Sequence, residues 1–324
     1  MLSYLMLIIG FFLLIKGADF FVDGSSSIAK ILKVPTIIIG LTVVAFGTSL
    51  PEASVSITAA ISGQNELAVS NVIGSNIFNL LVVLGASALV CPIKVKLSLL
   101  KREFPFSIII TAVLLLGITG FDIKAIIEGN GSYVLSRVEG IILLILFIGF
   151  LVAAVLDALH SRKNAESTDV SEDYEILSPL KSVIYIAGGI AAIALGGDFV
   201  VDSASDIAAS FGMSQTFIGL TIVALGTSLP ELVTSCVAAK KGENDLALGN
   251  VVGSNIFNIL LILGMSATIC PITLTGLAIQ DTVILIVASL LVYICALSKK
   301  GLSKLEGSMF LLFYIGFFAY ILVR

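Results

Sequence analysis

Charge is what this sequence has least of. Of its 324 residues 12% are charged and 58% hydrophobic, and the mean hydropathy is +1.12. A soluble chain of that length could not bury so much apolar surface, so a soluble globular fold is excluded. Tryptophan is absent, and histidine occurs once, at His160 in a polar stretch, where it reads as a solvated bystander. The four cysteines (Cys91, Cys236, Cys270 and Cys295) form no CxxC and no Cys/His cluster, which argues against a disulfide framework or a zinc site. HExxH, GxSxG and a P-loop are all missing, so proteolysis and ATP-driven pumping have no visible machinery and the chain is not expected to be an enzyme. No cofactor, no nucleic acid and no obligatory protein partner is expected.

What is present is apolar runs of membrane-spanning length over most of the chain. The run from Leu2 has no basic n-region and no small-residue cleavage site, and is read as a retained first helix. The pattern predicts an all-α polytopic membrane protein with ten transmembrane helices at 3–22, 36–62, 66–90, 104–120, 138–159, 182–201, 215–239, 245–269, 280–297 and 306–323. A polar, acidic stretch at 160–181 reads as a flexible linker between two halves, 1–159 and 182–324.

The halves repeat each other. GLTVVAFGTSLPEASVSITAA (Gly40 to Ala60) returns as GLTIVALGTSLPELVTSCVAA (Gly219 to Ala239), and SNVIGSNIFNL (Ser70 to Leu80) as GNVVGSNIFNI (Gly249 to Ile259). Between Ile39 and Leu81, 28 of 43 positions match their partner 179 residues later. Gly17/Gly196, Asp19/Asp198, Asp23/Asp202 and Cys91-Pro92/Cys270-Pro271 keep the same offset. Pro51 and Pro230 each follow Gly-Thr-Ser-Leu, so the second and seventh helices should be broken near mid-membrane. Gly-Ser-Asn at 74–76 and 253–255 is a weaker signal for a break in the third and eighth helices.

Basic residues set the orientation. With the N-terminus outside, fourteen fall on the inner side, from Lys30 to Lys304, against Lys124, Arg137 and Arg324 outside; Lys16 can snorkel. Both termini are then outside and the central linker is cytoplasmic. Because each half holds five helices, an odd number, the second must enter the membrane from the opposite side. The expected fold is two inverted five-helix repeats, with the broken helices meeting at the midplane.

Of 22 acidic residues, only Glu52 and Glu231 fall near the centre of a predicted span. A charged group there costs about 2.5–3.5 kcal/mol on insertion scales. Two facing carboxylates also repel each other, and a divalent cation removes both problems. Hard oxygen donors would complete its shell: main-chain carbonyls freed at the breaks, notably those of Thr48 and Thr227, the hydroxyls of Ser49, Ser228, Ser75 and Ser254, and the amides of Asn79 and Asn258. No nitrogen or sulfur ligand set is present, which argues against zinc and copper. The same small residues also serve close helix packing, and Ser or Thr can bond back to its own helix, so each hydroxyl taken singly stays open.

GTSLPE followed by GNxxGSNxxN, twice and in opposite topology, resembles the alpha repeats of the cation/calcium exchanger superfamily, and within it the prokaryotic sodium/calcium exchangers. The resemblance covers essentially the whole chain. It implies exchange of cytosolic Ca²⁺ for external Na⁺, three sodium ions to one calcium, by alternating access across the cell membrane. It implies a calcium site at Thr48, Glu52, Thr227 and Glu231. It places Ala45, Ser49, Ser75, Ala224, Ser228 and Ser254 around flanking sodium sites, the alanines through their carbonyls, with Asn79 and Asn258 in the middle. The chain departs from the pattern at Asn258, where the structurally known archaeal exchanger and potassium-dependent relatives carry Asp; this argues against potassium co-transport. The alternative reading is an antiporter driven by H⁺, or by Na⁺ together with K⁺. A passive channel fits less well, since a symmetric pore would more naturally use parallel subunits than inverted halves.

Overall fold

The structure is a computed structural model that describes residues 2–120, 133–164, 176–213, 222 and 224–323. It is mostly helical. In chain order the helices are α1 (Leu2–Leu32), α2 (Thr36–Thr48), α3 (Leu50–Ile61), α4 (Glu66–Val90), a short α5 (Leu97–Lys101), α6 (Glu103–Thr119), α7 (Arg137–Asn164) and α8 (Pro179–Ser210). They continue as the single turn α9 (Ala224–Gly226), α10 (Leu229–Lys240), α11 (Asn244–Ile269), α12 (Gly276–Lys299) and α13 (Lys304–Val323). Among the described residues, seven helices are long and apolar enough to cross a membrane, and the bent pair α2–α3 makes up to eight. The chain is a polytopic membrane protein.

The duplicated helices form the centre. Of their most apolar windows, 94% of α11 and 78% of α4 are buried, against 17% of α7. A helix whose side chains face lipid stays uniformly apolar, whereas α4 and α11 carry their Asn, Ser and Gly into protein contacts. Around them, α1 and α8 lie antiparallel in close contact. A Cβ added at Gly10 would sit 2.9 Å from the Gly196 carbonyl, at Gly17 3.0 Å from that of Gly189, and at Gly24 2.8 Å from that of Ser182. Glycines seven apart share one helix face, which lets the two backbones touch.

Two small antiparallel ladders tie loops of the two halves together. β1 (Ile93–Lys94) pairs with β4 (Gly301–Leu302), and β2 (Tyr133–Leu135) with β3 (Ile272–Leu274).

The breaks lie at the Gly-Thr-Ser-Leu-Pro segments. α2 and α3 meet at Ser49 with a 52° bend. Ser49 N–H still bonds the Ala45 carbonyl and Ala53 N–H the Ser49 carbonyl, but Pro51 has no N–H to offer Gly47. In the second copy, Thr227 and Ser228 separate α9 from α10. The first part of the predicted seventh helix, 215–221 and 223, lies outside the described residues.

The expected breaks at Gly-Ser-Asn do not occur. α4 runs straight through 74–76 and α11 through 253–255, and each instead widens into a π-helical turn just beyond, Asn79–Val83 and Asn258–Leu263. No proline removes a donor here, and Asn76 and Asn255 spend their side chains across the helix interface. Several helices also run past their predicted ends. α1 continues to Leu32 and α8 to Ser210, because their polar ends still pack on neighbours: Ser25, Ser26 and Ser27 are buried, and Asp23 accepts from Lys241 Nζ at 2.7 Å. α7 reaches Asn164 and α8 starts at Pro179; half of the expected linker, 165–175, lies outside the described residues.

Candidate functional site

Glu52 lies in the first turn of α3 and Glu231 in the first turn of α10, and both are fully buried. Proline at the second position of each helix lacks the donor that a first turn leaves unpaired anyway. Each carboxylate is held by a serine from the opposite break. Ser49 Oγ donates to Glu231 Oε1 at 2.9 Å, and Ser228 Oγ donates to Glu52 Oε1 at 2.8 Å. Ser254 Oγ lies 3.4 Å from the same Glu231 oxygen, and Ser75 Oγ lies 3.1 Å from Ser228 Oγ. The two breaks therefore interlock at one place.

Asn79 and Asn258 open the π turns of α4 and α11 and are fully buried. Their amide groups are fixed by two further asparagines. Asn79 Nδ2 donates to Asn255 Oδ1 at 3.2 Å, and Asn258 Nδ2 donates to Asn76 Oδ1 at 2.9 Å. Asn76 and Asn255, 179 residues apart, donate to each other's main-chain carbonyls at 3.2 and 3.3 Å. With the NH₂ groups committed, the Oδ1 atoms of Asn79 and Asn258 are buried without a hydrogen-bond partner, as are the Oε2 atoms of Glu52 and Glu231. Four unpaired acceptors, two of them carboxylate, are costly in a protein interior. A hard cation satisfies such a set, and a hydrogen-bond donor of the protein does not supply it.

Two of the other predicted residues already carry hydrogen bonds. The Thr48 hydroxyl donates to Asn250 Oδ1 at 2.9 Å, and the Ala45 carbonyl accepts from Ser49 N–H at 3.0 Å. Ala45 is buried against α11, where a Cβ on Gly253 would lie 2.7 Å from the Ala45 Cβ. Thr227 is half-buried and its hydroxyl has no hydrogen-bond partner. Ala224 starts the single turn α9. Among the described residues, no three His, Cys, Asp or Glu side chains converge on one point, so the acidic donors here are two.

Sequence reasoning gave Asn71, Asn76, Asn250 and Asn255 no role. Asn71 Nδ2 donates to Ser56 Oγ at 2.9 Å and to the Glu52 carbonyl at 3.3 Å; Asn250 Nδ2 donates to Ser235 Oγ at 2.9 Å and to the Glu231 carbonyl at 3.5 Å. They brace the helices that carry the glutamates. The signal was available, since all four asparagines and both serines keep the 179-residue offset.

The family described as sodium/calcium exchanger protein matches residues 2–156 and 181–323. The chain belongs to that family. As an exchanger-family chain it is a transporter and not an enzyme. Relatives align with it over nearly its whole length. CaxA of Alkalimonas amylolytica is 39% identical over 323 residues, 98% of each chain. The sodium/calcium exchanger MaX1 of Methanosarcina acetivorans is 33% identical over 341 aligned positions, 97% of each. A solved structure of the sodium-calcium exchanger NCX_Mj, soaked with Na⁺ and Sr²⁺, superposes with a TM-score of 0.81 at 33% identity, covering 98% of each chain.

Proposed function

We propose that this chain is a secondary antiporter that exchanges Na⁺ for Ca²⁺ across the cell membrane by alternating access, with Ca²⁺ held between Glu52 and Glu231. The observation that carries this reading is the set of buried, unpartnered oxygens on Glu52, Glu231, Asn79 and Asn258, beside the two serine–glutamate bonds that join the breaks. Two carboxylates neutralise one divalent ion, and the neutral oxygens complete a calcium-type shell with carbonyls of Thr48 and Thr227. Ser49, Ser75, Ser228 and Ser254 surround the carboxylates, and with the carbonyls of Ala45 and Ala224 they form the sodium positions. Sodium and calcium then compete for one group of oxygens, which is what couples their movements.

The fold is read as ten spans in two inverted repeats, 1–159 and 182–324, joined by a cytoplasmic linker at 160–181. α6 and the segment ending in α10 add to the eight spans above. The antiparallel contact of α1 with its repeat partner α8 supports the inversion, as do the reciprocal bonds of Asn76 and Asn255. Both termini lie outside. A cysteine introduced at Gln64 should react with an impermeant thiol reagent from outside, and one at Gly242 only from inside. Labelling of both from one face contradicts the inversion.

Alternating access finds support in an asymmetry between the halves. A cleft of about 380 Å³ opens between α3, α8 and the second break, lined by Pro51, Ser54, Asp198, Asp202 and Thr227. The positions equivalent to those aspartates, Asp19 and Asp23 on α1, are instead drawn to α10: Lys241 Nζ reaches the Asp19 carbonyl at 3.1 Å and Asp23 Oδ1 at 2.7 Å. One side is open and the other is latched, the arrangement of an outward-facing carrier in this orientation.

Asn258 gives the coupling test. With two formal carboxylates the site balances one Ca²⁺ and leaves no charge for an extra monovalent ion. Na⁺-driven Ca²⁺ flux in proteoliposomes should be independent of K⁺ in the wild type. Asn258→Asp adds a carboxylate that needs a further cation or proton, so it should create a K⁺ requirement or a loss of flux at low pH. An absolute K⁺ requirement in the wild type overturns this and favours the potassium-dependent reading.

A further inference from the structure

A wide groove on the molecule shares none of the candidate ion-site residues. It has a volume of about 660 Å³ and runs between α6 and α7, with Ile38 and Leu41 of α2 at its floor. Most of its wall is aliphatic or aromatic, and the Phe106 and Phe150 rings stack there with centroids 5.8 Å apart. At one end the lining turns charged, with Lys101, Arg102, Glu103 and Asp157. Arg102 Nη1 and Asp157 Oδ2 are 2.6 Å apart, Lys101 is exposed, and Glu103 Oε2 is buried with no hydrogen-bond partner.

We infer that this groove is a phospholipid site that selects a zwitterionic lipid with a primary ammonium headgroup, phosphatidylethanolamine chemistry. An apolar trough on the outer wall of a membrane protein is covered by hydrocarbon, because neither water nor a void is stable there. An acyl chain lies along Ile109, Leu146 and Phe150, against Leu41. The headgroup then meets the charged end. Lys101 and Arg102 donate to the phosphate, and the buried Glu103 oxygen accepts from the ammonium. The mouth carries two positive and two negative side chains, which matches a headgroup bearing one charge of each sign. A choline headgroup has no N–H to give Glu103, and an anionic headgroup would add negative charge beside Glu103 and Asp157. The occupied groove buttresses α2 just ahead of its break.

The test uses the full-length protein, purified in mild detergent, stripped of lipid and offered equal amounts of phosphatidylethanolamine, phosphatidylcholine and phosphatidylglycerol with identical acyl chains. Native mass spectrometry reads the retained lipid. A charge-assisted hydrogen bond sets the scale, so the wild type should retain the ethanolamine lipid about tenfold over the choline lipid. Glu103→Gln should erase that preference while both lipids still bind. Gly149→Leu should reduce retention of every lipid, because a Cβ there meets no atom within 4 Å and the side chain grows into the groove. Equal retention of the ethanolamine and choline lipids by the wild type overturns the proposal. So does a preference for the glycerol lipid, or an ethanolamine preference unchanged in both variants. If Glu103→Gln does not fold, the wild-type ratio and Gly149→Leu decide.

Discussion

Replacing Glu52 or Glu231 with glutamine should abolish calcium transport and leave a folded protein. Glutamine keeps the shape and can still accept the serine bond, Ser228 to position 52 or Ser49 to position 231. What it removes is half of the charge that balances a divalent ion. Losing one member of a buried, hydrogen-bonded charge pair costs about 2–5 kcal/mol, which is at least about thirtyfold in affinity. Because each carboxylate is tied to a serine of the other half, the two variants should be equally impaired, and neither should behave as a partial exchanger. Size-exclusion chromatography checks the fold and ⁴⁵Ca²⁺ uptake into proteoliposomes checks transport. Normal exchange by either purified variant removes the ion site from these two residues.

The asparagine clamp should have the next largest effect. Asn76→Ala deletes the bond to the Asn255 carbonyl and the acceptor that holds Asn258 Nδ2. Asn255→Ala deletes the mirror pair, including the acceptor for Asn79 Nδ2. Hydrogen bonds between membrane helices average about 0.6 kcal/mol and reach about 1.7, so losing two costs roughly 1–3 kcal/mol. Much of that should appear as weaker calcium binding, because the freed amide no longer has to aim its oxygen into the site. The apparent affinity should fall about tenfold in both variants, with a modest drop in melting temperature. A calcium titration of each purified variant reads this. Unchanged affinity in both would mean that the clamp holds helices together without orienting the site, and an effect in only one would break the equivalence of the halves.

The parts legible in the sequence were those that lipid penalises. Glu52, Glu231 and the proline breaks stood out because an apolar helix does not carry such residues without cause, and the 179-residue offset doubled the signal. Asn79 and Asn258 stood out for the same reason. Gly-Ser-Asn misled because glycine permits a bend without requiring one; the helix stays intact when the neighbouring asparagine side chain is satisfied across the interface. The π turns at Asn79 and Asn258 leave no composition signature. Asn76 and Asn255 were missed as positioning residues because periodicity places a side chain on a face but does not say which helix it meets. Ends such as Asp23–Ser27 read as loop from polarity alone, yet they remain helical where α8 and Lys241 give them partners.

A sodium gradient alone should drive calcium through this site. Ca²⁺ uptake into proteoliposomes of the purified chain, with outward Na⁺, K⁺ and H⁺ gradients imposed one at a time, measures it directly. Uptake should require the Na⁺ gradient, be indifferent to the other two, and vanish in Glu52→Gln. Uptake driven by H⁺ without Na⁺, or uptake that persists with no opposing cation gradient, would contradict the account.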